Sequence, residues 1–211
     1  MLAIEDEYLR VKKISKKKGQ TFLGSSTHKD DREIFILGAF SELLSQGKQI
    51  VPKYFEKVKP PEPDFHIFTS DKNFYKHIEI VENLHWGRKR GIEHRLPLDR
   101  NKYLDDSNRC NIRVWYNFIK NINQKFTKHY GKNSWLVIYH NINIYHISSV
   151  GFWINIIFNM KDEFVRRRLI NFSNSTYEKI FVINAGLTEL LTIYPEDKII
   201  FSEYAKYSIK K

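Results

Sequence analysis

The sequence predicts an α/β fold in which a mixed central sheet is flanked by helices, and three observations carry this. A stripe of apolar residues at helical spacing, Ile34, Leu37, Phe40 and Leu44, precedes two short runs in which apolar and polar residues alternate. Two later runs, Trp135 to Tyr139 and Ile180 to Ile183, are apolar throughout, as strands covered on both faces are. Between the alternating pair and the first continuous run lies a second helical stripe, Ile112, Trp115, Ile119, Ile122 and Phe126. A hairpin followed by a helical crossover into a buried strand gives a sheet with both antiparallel and parallel neighbours.

The 211 residues suit a single domain. Residues 1–30 read as a basic N-terminal extension, about 31–140 as the core, and 141–211 as its C-terminal completion. Hydrophobic residues at 42% are sufficient for a core and exclude general disorder. The single cysteine, Cys110, excludes an internal disulfide framework and a Cys-rich zinc site, which points to a reducing, cytoplasmic setting. No stretch approaches the roughly 20 apolar residues of a membrane span. Glu5, Asp6 and Glu7 stand where a secretory signal would be basic, so none is expected. The 35 Lys and Arg outnumber 24 Asp and Glu, for a net charge of +11. A positive field of this size favours polyanions, nucleic acid first among them.

In chain order, Lys12 to Lys18 and the Gly and Ser residues after them read as a short ordered start and a basic flexible loop. Asp30 or Asp31 caps the first core helix, which ends at Gly47. Gln49 to Val58 is extended, and Pro60-Pro61-Glu62-Pro63 blocks helix and forces an extended approach. Strands Asp64 to Thr69 and Phe74 to Glu82 follow, joined through Ser70 to Asn73. The polar stretch Asn83 to Asn108 is longer than a core connection. A helix from about Asn111 to Tyr130, the strand at Trp135, a helix from Gly151 to Leu169, the strand at Ile180 and a last extended segment, Lys198 to Tyr204, complete the chain.

The hairpin carries the chemistry. With its turn centred between Asp71 and Lys72, residues whose numbers sum to 143 face each other. Asp64 then opposes Glu79 and His66 opposes His77 on one face, with Phe65 opposite Ile78 on the other. Directly opposed carboxylates repel at Cβ separations of about 4.5–5.5 Å. A divalent cation reverses that sign, and Mg²⁺ is held by one or two carboxylates together with water and phosphate oxygens.

Pro63-Asp64-Phe65-His66-Ile67 and Tyr75 to Glu82 resemble the signature of the PD-(D/E)XK phosphodiesterases, a superfamily of restriction endonucleases and repair nucleases. The resemblance spans roughly Glu33 to Tyr139. It implies a restriction-endonuclease-like fold with the core order αβββαβ, here extended by a C-terminal helix and strands. It also implies a Mg²⁺- or Mn²⁺-dependent nuclease that hydrolyses phosphodiester bonds of DNA, or of RNA. Asp64 and Glu79 match the metal-binding acids and serve as catalytic residues. Glu33 on the preceding helix is the chosen further ligand, with Glu42 its competitor. The family's lysine falls two residues after the second acid, where this chain has Val81. The cation is therefore expected from Lys120 or Lys125 on the following helix, or from His77. The same substitution supports an alternative: a catalytically inactive copy of the fold kept as a nucleic-acid- or protein-binding module. Many members dimerise, so a homodimer is compatible with the resemblance.

Trp86, Arg88, Lys89 and Arg90 combine a ring for base stacking with cations for phosphates, and are the expected nucleic-acid-binding loop. Arg166 to Arg168 complement a helix C-terminus. No H-E-x-x-H, phosphate-binding G-x-x-x-x-G-K-[ST] or G-x-S-x-G motif occurs.

Overall fold

The computed structural model describes residues 1–18, 29–47, 51–84, 118, 120–128, 130–131, 133–141, 175–183, 189–194 and 198–201. Helices α1 (Ile4–Lys18) and α2 (Lys29–Gln46) precede or interleave with strands β1 (Leu2–Ala3), β2 (Tyr54–Lys57), β3 (Phe65–Phe68) and β4 (Phe74–Leu84). Helical residues 118 and 120–126, here α3, lead to β5 (Ser134–Asn141), β6 (Tyr177–Ile183), β7 (Glu189–Tyr194) and β8 (Lys198–Phe201).

The eight strands form one sheet in sequential order. β1 to β4 form an antiparallel meander, β4–β5 and β5–β6 are parallel, and β6–β7 and β7–β8 are antiparallel. The fold is thus mixed α/β, and the parallel pairs sit where the continuous apolar runs predicted them. Both faces of β5 are buried. Trp135, Val137 and Tyr139 join the core on the side of α1 and α2, while Leu136 and Ile138 join a second core containing Phe118, Ile122 and Phe126 of α3.

Nine residues of α2 are buried because the helix lies between α1 and the sheet. Its end is as expected: the Gly47 N–H donates to the Leu43 and Leu44 carbonyls at 3.2 and 3.1 Å. Its start differs. The helix begins at Lys29, so Asp30 and Asp31 lie in the first turn, complementing the helix dipole. Asp31 also accepts from Arg10 of α1 at 2.9 Å. Lys12 to Lys18 belong to a helix rather than a loop, anchored by Ile4 and Val11, which are 4% and 0% exposed. At Gly38 the two helices approach so closely that a Cβ would lie 2.3 Å from Cγ of Tyr8.

Cys110, the helix expected at 151–169 and its Arg166 to Arg168 lie outside the described residues. Among the described residues, no helix is long and apolar enough to cross a membrane.

Candidate functional site

The hairpin reaches its expected register by an unexpected route. Near the turn, Phe68 opposes Phe74, a sum of 142, and the Thr69 N–H donates to the Asn73 carbonyl at 3.0 Å. The loop is therefore odd, with Lys72 at φ 59° providing the left-handed residue that closes it. A bulge then leaves Tyr75 unmatched, and Ile67↔Lys76, His66↔His77 and Phe65↔Ile78 follow with sums of 143. The two irregularities cancel. Asp64 and Glu79 are the next residues out from Phe65 and Ile78, and both line one cleft.

At that step β3 departs into the proline-rich segment while β4 continues to Leu84. Oδ2 of Asp64 accepts the Ile80 N–H at 2.7 Å, taking a donor that has lost its neighbouring strand on this side. Glu79 is only 2% exposed. Its Oε1 accepts from Lys125 of α3 and, at 2.9 Å, from Lys128 just beyond the helix. Two ammonium groups thus neutralise a carboxylate that would otherwise be too costly to bury.

These groups line a cleft of about 800 Å³ open at the exposed edge of β4. Asp64 and Glu79 share it with Glu33, Glu62, Glu82, Lys29, Arg32, Lys125, Lys128, Tyr130 and Tyr139. Burial first, and then the neighbouring charge of Glu79, raise the Asp64 pKa from 3.8 to about 6, with Glu33 adding to the effect. The Ile80 N–H and Lys125 oppose the rise. Burial works against the charge on Lys128, but hydrogen bonds with Tyr130 and Glu79 hold its pKa above the ordinary lysine range. Tyr177, 2% exposed, is raised by burial and then by Glu79.

The residues expected from sequence divide accordingly. Asp64, Glu79 and Glu33 are brought to one cleft, with Glu33 held by Lys57 at 2.9 Å and Lys29 at 3.4 Å. Glu42 lies instead beside Tyr8, whose pKa is pushed up to about 12 by burial and then by that acid. Lys125 reaches Glu79, whereas Lys120 is exposed on α3 and does not line the cleft. His77 does not line it either. Its ring packs on His66 with centres 4.5 Å apart. Val81, in the lysine slot, is buried in the apolar core beside α3, so that position supplies packing rather than charge. Trp86, Arg88, Lys89 and Arg90 lie outside the described residues. Sequence reasoning missed Lys128. It follows Lys125 by three residues, the spacing that puts two side chains on one helical face, and that was the available signal.

Among the described residues, no three His, Cys, Asp or Glu side chains converge as a metal-ligand set. The donors that Asp64 and Glu79 offer are the hard oxygens of two carboxylates that line one cleft. They fit a Mg²⁺-type cation, which takes its other ligands from water and phosphate, and not a fully protein-caged zinc. No protein-family model matches the chain, and no curated protein or solved structure is significantly similar to it.

Proposed function

We propose that the chain is a metal-dependent phosphodiesterase of restriction-endonuclease-like architecture, acting on nucleic acid, with DNA the first candidate. The observation that carries this reading is the meeting of Asp64, Glu79 and Lys125 in one cleft. The sequential strand order, with α2 before the β2–β4 meander and α3 before the parallel strand β5, supports the same architecture.

Asp64 and Glu79 would hold the cation, with Glu33 close enough to support them electrostatically. When bound, Mg²⁺ supplies charge withdrawal from the phosphate and acidification of water. The protein's own residues do the rest. Lys125 and Lys128 present positive charge where the phosphorane gains negative charge, as water attacks phosphorus and the ester P–O bond breaks. These two lysines replace the cation that Val81 does not provide. Arg32 and Lys29 extend the positive lining along α2. The net charge of +11 supports a polyanionic substrate.

One observation favours a second reading. Glu79 is already neutralised by two lysines, as a site that only binds phosphate backbone, without cutting it, would be. Linear, supercoiled and single-stranded substrates, incubated with Mg²⁺ or Mn²⁺, separate the two. Metal-dependent cleavage lost in Asp64→Ala and Glu79→Ala supports the nuclease. Binding that survives both substitutions without cleavage supports the binding module. Neither activity refutes both.

A further inference from the structure

We propose that His66 and His77 form a second metal site, distinct from the carboxylate cleft, for a transition-metal divalent cation of the Zn²⁺ class. The two imidazoles are directly opposed across β3 and β4, with ring centres 4.5 Å apart. Nε2 of His66 and Nδ1 of His77 are both buried without a hydrogen-bond partner among the described residues. Buried nitrogens are nearly always satisfied, so two orphans on touching rings call for a shared ligand. The site offers imidazole nitrogen, the donor that Zn²⁺, Cu²⁺ and Ni²⁺ prefer over Mg²⁺. Rings whose centres are 4.5 Å apart are within the reach of one ion with Zn–N bonds of about 2.0–2.1 Å.

The surroundings fit. Phe74, itself 45% exposed, packs against both rings, with centres 4.8 Å from His77 and 5.9 Å from His66. The Glu62 carboxylate is close enough to His77 for the two charges to interact. Glu56 stands directly across from His66 on β2, where its Oε1 lies 3.4 Å from the N-terminal ammonium. Water would complete the coordination, since no third His, Cys, Asp or Glu side chain converges on the pair among the described residues. The ion would clamp β3 to β4 with the Phe65 and Ile78 pair between it and Asp64 and Glu79. The inference does not depend on phosphodiester chemistry, and it stands or falls apart from it.

Calorimetric titration of the full chain with Zn²⁺ tests it. One ion per chain is expected, with affinity reduced at least tenfold in His66→Phe and in His77→Phe. Phenylalanine keeps the ring packing while removing the ligand. Asp64→Asn with Glu79→Gln should leave that binding intact. Absence of Zn²⁺ binding, binding that survives both Phe variants, or binding lost in the carboxylate variant would each overturn the proposal. Should a Phe variant fail to fold, the unsubstituted chain decides: the imidazole NMR resonances of His66 and His77 must shift on addition of Zn²⁺, and unshifted resonances refute the site.

Discussion

Oδ2 of Asp64 accepts the backbone N–H of Ile80 at 2.7 Å, so a side chain continues the edge of β3 after its backbone has turned away. The bond fixes Asp64 beside Glu79 in a half-buried position, where burial and the charge of Glu79 outweigh the bond and make ionisation unfavourable. With its pKa raised from 3.8 to about 6, the folded chain holds a proton that the unfolded chain releases. The Asp64 contribution to stability is therefore full below about pH 4 and is lost as pH rises through 6. Asp64→Asn, neutral at every pH and still able to accept from Ile80, should gain in melting temperature relative to the parent between pH 5 and pH 7.5. A pH-independent difference between the two proteins would contradict this.

The ion pairs at Glu79 make a separate demand on stability. Removing Lys128, which is 44% exposed, should cost little, and removing Lys125, 22% exposed, somewhat more. Removing both strands a buried carboxylate and should cost about 3–5 kcal/mol in urea unfolding. Glu79→Gln in the double-variant background should restore most of it. Additive, unrescued losses would show that the lysines act through packing alone.

For activity, Lys125→Ala should lower kcat by about 10²–10³-fold with little change in KM, as loss of a charge acting mainly in the transition state does. Lys120→Ala should remain at the parental rate. The contrast is read from initial rates on one labelled substrate. Equal effects of the two substitutions would remove Lys125 from the mechanism.

Gly38→Ala tests how α1 is held. In an exposed helix this change gains about 1 kcal/mol. Here the new Cβ would meet the Tyr8 ring at 2.3 to 2.6 Å, so a net loss of about 1–3 kcal/mol is expected by chemical denaturation. Tyr8→Ala should reduce the effect, since it removes the ring and leaves only the contact with the Cβ of residue 8 at 2.6 Å.

The fold was legible where one periodicity dominated. The stripe from Ile34 to Leu44 and the continuous runs of β5 and β6 could belong only to a buried helix and to covered strands. The hairpin reached the expected register at His66 and His77 and at Phe65 and Ile78 because a three-residue loop and a bulge at Tyr75 offset each other, which no local signal announces. α1 was read as partly a loop because its run of lysines masked Ile4, Val11 and Ile14 at helical spacing. Of the site, both acids and Lys125 were named from the sequence. Lys120 was favoured wrongly for the cleft because helical phase relative to the strands is a tertiary property. The exclusion of His77 from the cleft lining follows from its packing on His66, and that too is set by neighbours rather than by sequence.

Asp64 and Glu79 sharing one divalent cation is most directly tested by Mn²⁺ titration followed by electron paramagnetic resonance, without nucleic acid and in the His66→Phe, His77→Phe background. The free-ion signal should fall by one equivalent per chain in that background and remain unchanged when Asp64→Asn and Glu79→Gln are added. An undiminished signal with both acids intact, or an equal loss without them, would contradict the shared-ion site.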